Sequence, residues 1–72
     1  MNRTDATLTI IAVEISNSNH GSFLKSMATA WQVAEPDNKR IIKPAWLVLI
    51  EKYRLEQEYA EAIEEHLEEY LE

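Results

Sequence analysis

The clearest hydrophobic pattern lies near the end of the printed sequence. Between residues 55 and 71, apolar side chains recur at intervals of three and four residues, which places them on one face of a helix. This stripe consists of Leu55, Tyr59, Ala62, Ile63, His66, Leu67, Tyr70 and Leu71. Neither glycine nor proline interrupts the segment, and residues 55–72 contain eight glutamates. The pattern predicts one long, acidic, amphipathic helix over residues 55–71.

Two further helices are predicted in the middle of the chain. Residues 22–34 carry a helical stripe made of Phe23, Leu24, Met27, Ala30, Trp31 and Ala34. Residues 38–53 are apolar around most of a helix, and Pro44 predicts that this helix either kinks or restarts near that position. A helix with so little polar surface is expected in the core or in a subunit interface.

The N-terminal segment, residues 1–16, has two interpretations. The β-branched run from Thr7 to Ile15 favours an extended strand, whereas Leu8, Ile11 and Ala12 also fit a helical spacing. We prefer the strand. Because nothing else in the chain is a good strand partner, the same strand of a second subunit, paired antiparallel across a two-fold axis, is the expected neighbour.

Charge is divided unevenly along the chain. Residues 1–54 hold all seven bases and five acids, a net charge of +2, whereas residues 55–72 hold eight glutamates and no base. The chain as a whole carries −6. Such asymmetry indicates either an electrostatic partner or self-association.

The glutamates of the last helix form the main candidate site. The predicted acidic face consists of Glu58, Glu61, Glu64, Glu65, Glu68, Glu69 and Glu72. Like charges three or four residues apart destabilise a helix slightly, so the sequence tolerates a cost that a few lysines would relieve. The face either keeps a small protein soluble or docks on a basic surface, and a docking face either imitates nucleic-acid phosphates or matches a basic protein surface directly.

A basic patch of opposite charge lies upstream, at Lys39, Arg40 and Lys43. Three bases in five residues could contact phosphates, but the acidic helix that follows would repel DNA, and no helix-turn-helix pattern is present. We therefore expect no direct nucleic-acid binding. The alternative is that these bases pair with the acidic helix, within one chain or across a dimer.

Catalytic, metal and cofactor functions find little support in the sequence. The single glycine excludes phosphate-cradling loops, the lack of cysteine excludes disulfides and thiolate metal sites, and no serine or threonine has a base and an orienting acid at a recognisable spacing. His66 lies on the apolar stripe and His20 in a turn, so neither is expected to bind a metal. We expect no enzyme, no cofactor and no metal. No apolar run approaches a membrane span, which favours a cytoplasmic protein.

Part of the chain resembles a class of small proteins. The resembling segments are Asn19–Leu24, Ala30–Trp31, Asp37–Lys39, Pro44–Trp46 and Glu51–Tyr53. Over residues 19–55 they are similar to small orphan helical proteins encoded by phages and mobile elements. The resemblance implies a host-cytoplasmic protein, and some small acidic phage proteins inhibit host defence complexes by occupying docking surfaces. The glutamate-rich tail lies outside the resembling stretch.

Together these patterns predict a mostly α-helical single domain over residues 1–72. It has three main helices in a small bundle, a short strand-like N-terminal segment, and a homodimeric state. The expected function is a non-enzymatic protein-interaction module whose acidic helix engages a basic surface, as an inhibitor of a nucleic-acid-handling or defence complex. The alternative is a structural self-association module with no inhibitory role.

Overall fold

A computed structural model describes residues 5–70, and within this range the chain is mostly helical with no strand. The helices are α1 (Asp5–Ser16), α2 (Ser22–Val33), α3 (Pro36–Lys52), α4 (Leu55–Glu58) and α5 (Ala60–His66), followed by a 3-10 turn at Leu67–Tyr70. The predicted mostly α fold is confirmed. The predicted bundle of three main helices is wrong, because four of the helices in residues 5–70 have seven residues or more.

The strand predicted for residues 7–15 is also wrong, since these residues belong to α1. Its buried residues are Thr7, Leu8, Ile10, Ile11, Ala12 and Ile15. A helix buried on most of its surface lacks the polar face that would reveal its period in the sequence. Its β-branched residues lower helix propensity by only tenths of a kcal/mol each, whereas burying one such side chain contributes about 1.5–3 kcal/mol. As a helix, α1 satisfies its own backbone, so the expected strand pairing with a second subunit is ruled out; residues 1–4 lie outside the described range.

The two central helices lie close to their predicted positions. The segment predicted as 22–34 is α2, and the segment predicted as 38–53 is α3, which begins earlier because Pro36 occupies its first turn. Pro44 lies inside α3, yet the helix continues through it without a restart. Pro44 is exposed, so water can reach the carbonyl four residues earlier, which proline leaves without a helical donor.

The acidic segment differs from the single helix predicted for residues 55–71. Arg54 adopts a left-handed conformation with φ 54° and separates α4 from α3. Tyr59, with φ −109° and ψ 21°, then interrupts the helix between α4 and α5. Leu71 and Glu72 lie outside the described residues. The glutamates are therefore carried by two short helices and a 3-10 turn.

The centre of the core is α1, which packs against α2, α5 and the final turn. Trp31 and Trp46 are fully buried, and both indoles bond to α1. Trp31 Nε1 donates to Thr9 Oγ1 at 3.0 Å, and Trp46 Nε1 donates to the Leu8 carbonyl oxygen at 3.3 Å. These bonds tie α2 and α3 to one side of α1, and the acidic segment packs on another part of it.

Candidate docking surface

The acidic surface is held in place by the apolar side of its own segment. Leu55 and Ile63 are buried, at 0% and 1% exposure, and Tyr59, Ala62 and Leu67 pack against the same core. Because this side faces the core, most of the glutamates of the segment face solvent. We define the acidic surface as the predicted residues that the structure describes, all of them exposed: Glu58, Glu61, Glu64, Glu65, Glu68 and Glu69. Glu72 lies outside the described residues.

One end of the acidic surface is fixed by a long-range contact to the turn before α2. His20 Nε2 lies 2.9 Å from Glu58 Oε2, and the His20 ring meets the Tyr59 ring edge-on at a centroid distance of 6.2 Å. Burial raises the pKa of the Tyr59 phenol, against the lowering effect of a hydrogen bond with Ser18. The phenol therefore stays neutral at physiological pH. The contacts of His20 with Glu58 and Tyr59 hold the turn before α2 against the acidic segment.

The other end carries a local histidine pair. His66 Nδ1 lies 3.0 Å from Glu69 Oε2, one helical turn further along the chain. The hydrogen bond to Glu69 raises the pKa of His66, partial burial opposes it, and the charges of Glu69, Glu65 and Glu14 raise it further. The sequence pattern placed His66 on the apolar stripe, and in the structure it lies half-buried at the rim of the acidic surface.

A cleft between α1 and the acidic segment brings in an acid that the sequence analysis did not single out. Its lining consists of Glu14, Glu58, Tyr59, Glu61, Ala62, Glu65 and His66. Glu14 comes from α1, and a helical interpretation of residues 7–15 would have been needed to place it here. Among residues 5–70, no three histidine, aspartate or glutamate side chains are placed to hold a metal ion together.

Most of the acidic surface has no neutralising neighbour in the described chain. Glu58 and Glu69 each pair with a histidine, whereas Glu61, Glu64, Glu65 and Glu68 form no ion pair with any of residues 5–70. Nor does a lysine or arginine of that range pair with Glu58 or Glu69. The negative charge thus remains exposed to solvent, where a basic partner would reach it.

The basic patch is engaged elsewhere. Arg40 Nη2 lies 2.8 Å from Asp37 Oδ1, and Lys43 Nζ lies 2.9 Å from Asp5 Oδ1. Lys39 Nζ lies 5.1 Å from the centre of the Trp31 ring, within cation–π distance. The structure therefore does not bring the basic patch and the acidic surface together within one chain, as far as residues 5–70 show.

No protein-family model, curated protein or solved structure was found to match this chain. The resemblance to phage-encoded orphan proteins therefore stays a prediction. No helix among the described residues is both long enough and apolar enough to cross a membrane.

Proposed function

We propose that this protein is a non-enzymatic interaction module that docks its acidic surface on a basic surface of another protein. The observation that carries the proposal is that Glu61, Glu64, Glu65 and Glu68 are exposed with no cationic partner among residues 5–70. Retaining such repulsion has a small stability cost. A complementary basic surface would offset it and would speed association.

The proposal extends to the biological role that the resemblance implies. A surface of exposed carboxylates can compete for a surface that normally holds nucleic-acid phosphates, because both present closely spaced negative charge. We therefore propose an inhibitor of a nucleic-acid-handling or defence complex that acts in the host cytoplasm and does not itself bind nucleic acid.

A pulldown from the native host tests this proposal. The bait is the full chain, and its test variant changes Glu61, Glu64, Glu65 and Glu68 to glutamine. A control, Glu35→Gln, removes an exposed acid outside the surface. We expect a basic protein that the wild type and the control retain, that rising salt releases, and that the quadruple variant loses. Retention of every partner by the quadruple variant would remove the proposal.

A second candidate is structural self-association, in which the acidic surface of one copy meets the basic patch of the next. The separation of these two charged surfaces within one chain favours it, because the acidic surface and Arg40 of the basic patch are exposed to another copy. Such a contact is electrostatic, so the native mass should fall towards the monomer as salt rises. A mass unaffected by salt would exclude this contact.

A further inference from the structure

The helix α3 presents apolar side chains on both of its faces. Trp46 and Ile50 lie in the core, at 0% and 1% exposure, whereas Ile41 and Val48 on the opposite face are 74% and 64% exposed. Single exposed apolar residues are ordinary on a protein surface. Here, however, they follow one another at helical spacing, so that the exposed residues Ile41, Pro44, Ala45 and Val48 form a continuous apolar stripe.

We propose that this stripe binds the same stripe of a second copy, with the two α3 helices antiparallel across a two-fold axis between Pro44 and Ala45. In this register Ile41 of one copy faces Val48 of the other, twice over, because a two-fold interface repeats every contact. Leu47, Val48, Glu51 and Lys52 line a shallow groove, which would receive Ile41 of the second copy. The small Ala45 side chain at the axis allows the helices to approach closely.

The charges along α3 favour a second copy of the chain as the partner, and they favour the antiparallel orientation of the two helices. Asp37 lies four residues before Ile41 and Lys52 lies four residues after Val48, on the same face of the helix. The register that joins Ile41 to Val48 therefore also joins Asp37 to Lys52 of the second copy, at both ends of the stripe. A parallel pair would instead oppose Asp37 to Asp37 and Lys52 to Lys52.

The edge of the stripe repeats the same complementarity. Arg40 and Glu51 lie on one side of it, and both are exposed. In an antiparallel two-fold pair, this edge of the stripe from one copy lies on the same side of the interface as the same edge of the other. Arg40 therefore lies within one helical turn of Glu51 of the second copy. The existing contacts of these groups, Arg40 to Asp37 at 2.8 Å and Lys52 to the Tyr53 ring at 5.3 Å, are exposed and weak enough to rearrange. A carboxylate also accepts more than one hydrogen bond.

This contact does not depend on the acidic surface. One helix pair buries less area than a standard protein interface, so the dimer is expected to exchange with the monomer. Sedimentation equilibrium of the full chain from micromolar to millimolar concentration should show the mass rise from 8.4 kDa towards twice that value. A monomer throughout this range would overturn the proposal.

Variants test which surface is responsible. Val48→Glu should raise the dissociation constant of the dimer at least tenfold. Val33→Glu, at a 74% exposed position on α2, should leave that constant unchanged. Circular dichroism verifies that both variants remain helical. Equal effects of the two substitutions would contradict the proposal that the apolar stripe forms the dimer contact.

A charge swap tests the direction of the helices. Asp37→Lys and Lys52→Glu should each weaken the dimer, and the double variant should regain most of the lost affinity if the helices are antiparallel. If the double variant dimerises no more tightly than the single variants, the proposed antiparallel register is wrong. The quadruple glutamine variant of the acidic surface should dimerise normally, which separates this proposal from the proposed function.

Discussion

Trp31 and Thr9 are joined by a hydrogen bond in which the indole Nε1 donates to the threonine hydroxyl at 3.0 Å. The same hydroxyl donates to the carbonyl of Asp5 at 2.9 Å. The Thr9 hydroxyl therefore accepts a hydrogen bond from a fully buried indole and donates one to the backbone of the first turn of α1. The position of α2 on α1 depends on this polar contact as well as on apolar packing.

Replacing Thr9 with valine preserves the shape of the side chain and removes the acceptor. Because the buried indole nitrogen then has no partner, we expect the free energy of unfolding to fall by about 1–3 kcal/mol. Thr29→Val, at an exposed position on α2, is the matched control and should change it by less than about 0.5 kcal/mol. Urea unfolding measures both, and equal losses would show that the bond contributes nothing.

The raised pKa of His66 predicts a pH dependence. Because the folded-state pKa lies above the unfolded value of about 6.5, the contact with Glu69 contributes fully below that pH and is lost as pH rises through the folded value. NMR titration of the imidazole should show a pKa above the ordinary one. Glu69→Gln should bring it down, whereas Glu68→Gln, which removes an equal charge one residue away, should have a smaller effect. If the two variants are equivalent, the specific bond is not the cause.

The left-handed conformation of Arg54 predicts a stabilising substitution. A side chain at φ 54° costs about 1–2 kcal/mol, a cost that glycine avoids, although glycine also loses more backbone entropy on folding. We expect Arg54→Gly to raise the free energy of unfolding by about 0.5–1 kcal/mol. Arg40→Gly, at an exposed position in the body of α3, removes the same charge but should lower it by about 0.5–1 kcal/mol. Thermal and urea unfolding would contradict the conformational account if both changes had the same sign.

Repulsion within the acidic surface predicts a response to salt. Changing Glu61, Glu64, Glu65 and Glu68 to glutamine should raise the unfolding free energy at low salt by about 0.5–1 kcal/mol, since several like-charge pairs disappear. Added sodium chloride should raise the melting temperature of the wild type and narrow its difference from the variant. A wild-type melting temperature that falls with salt would show that the glutamates are neutralised after all.

The sequence predicted the elements that keep one polar face. Residues 22–34 alternate between core and solvent at helical spacing and correspond closely to α2. Residues 38–53 were also predicted as a helix, although they are apolar around most of it, and they correspond closely to α3. The exposure of Glu61 and its neighbours was also predictable, because the apolar stripe of the same segment had to face inwards. These features follow from local periodicity.

Features that depend on distant contacts could not be predicted in this way. α1 is buried on most sides, so its composition favoured a strand until tertiary packing decided otherwise. The break at Tyr59 has neither glycine nor proline to announce it. The pairing of His20 with Glu58, and the entry of Glu14 into the acidic cleft, join residues that only the folded chain brings together.

The central place of α1 has a consequence for synthesis of the chain. α1 leaves the ribosome before every other described element, yet α5, against which it packs, is among the last to emerge. Until then Ile10, Ile11 and Ile15 lack part of their cover. A nascent chain stalled before residue 60 would display a β-branched run of the kind that pairs into intermolecular strands. The strand tendency that the folded protein suppresses would thus reappear as an aggregation hazard during translation.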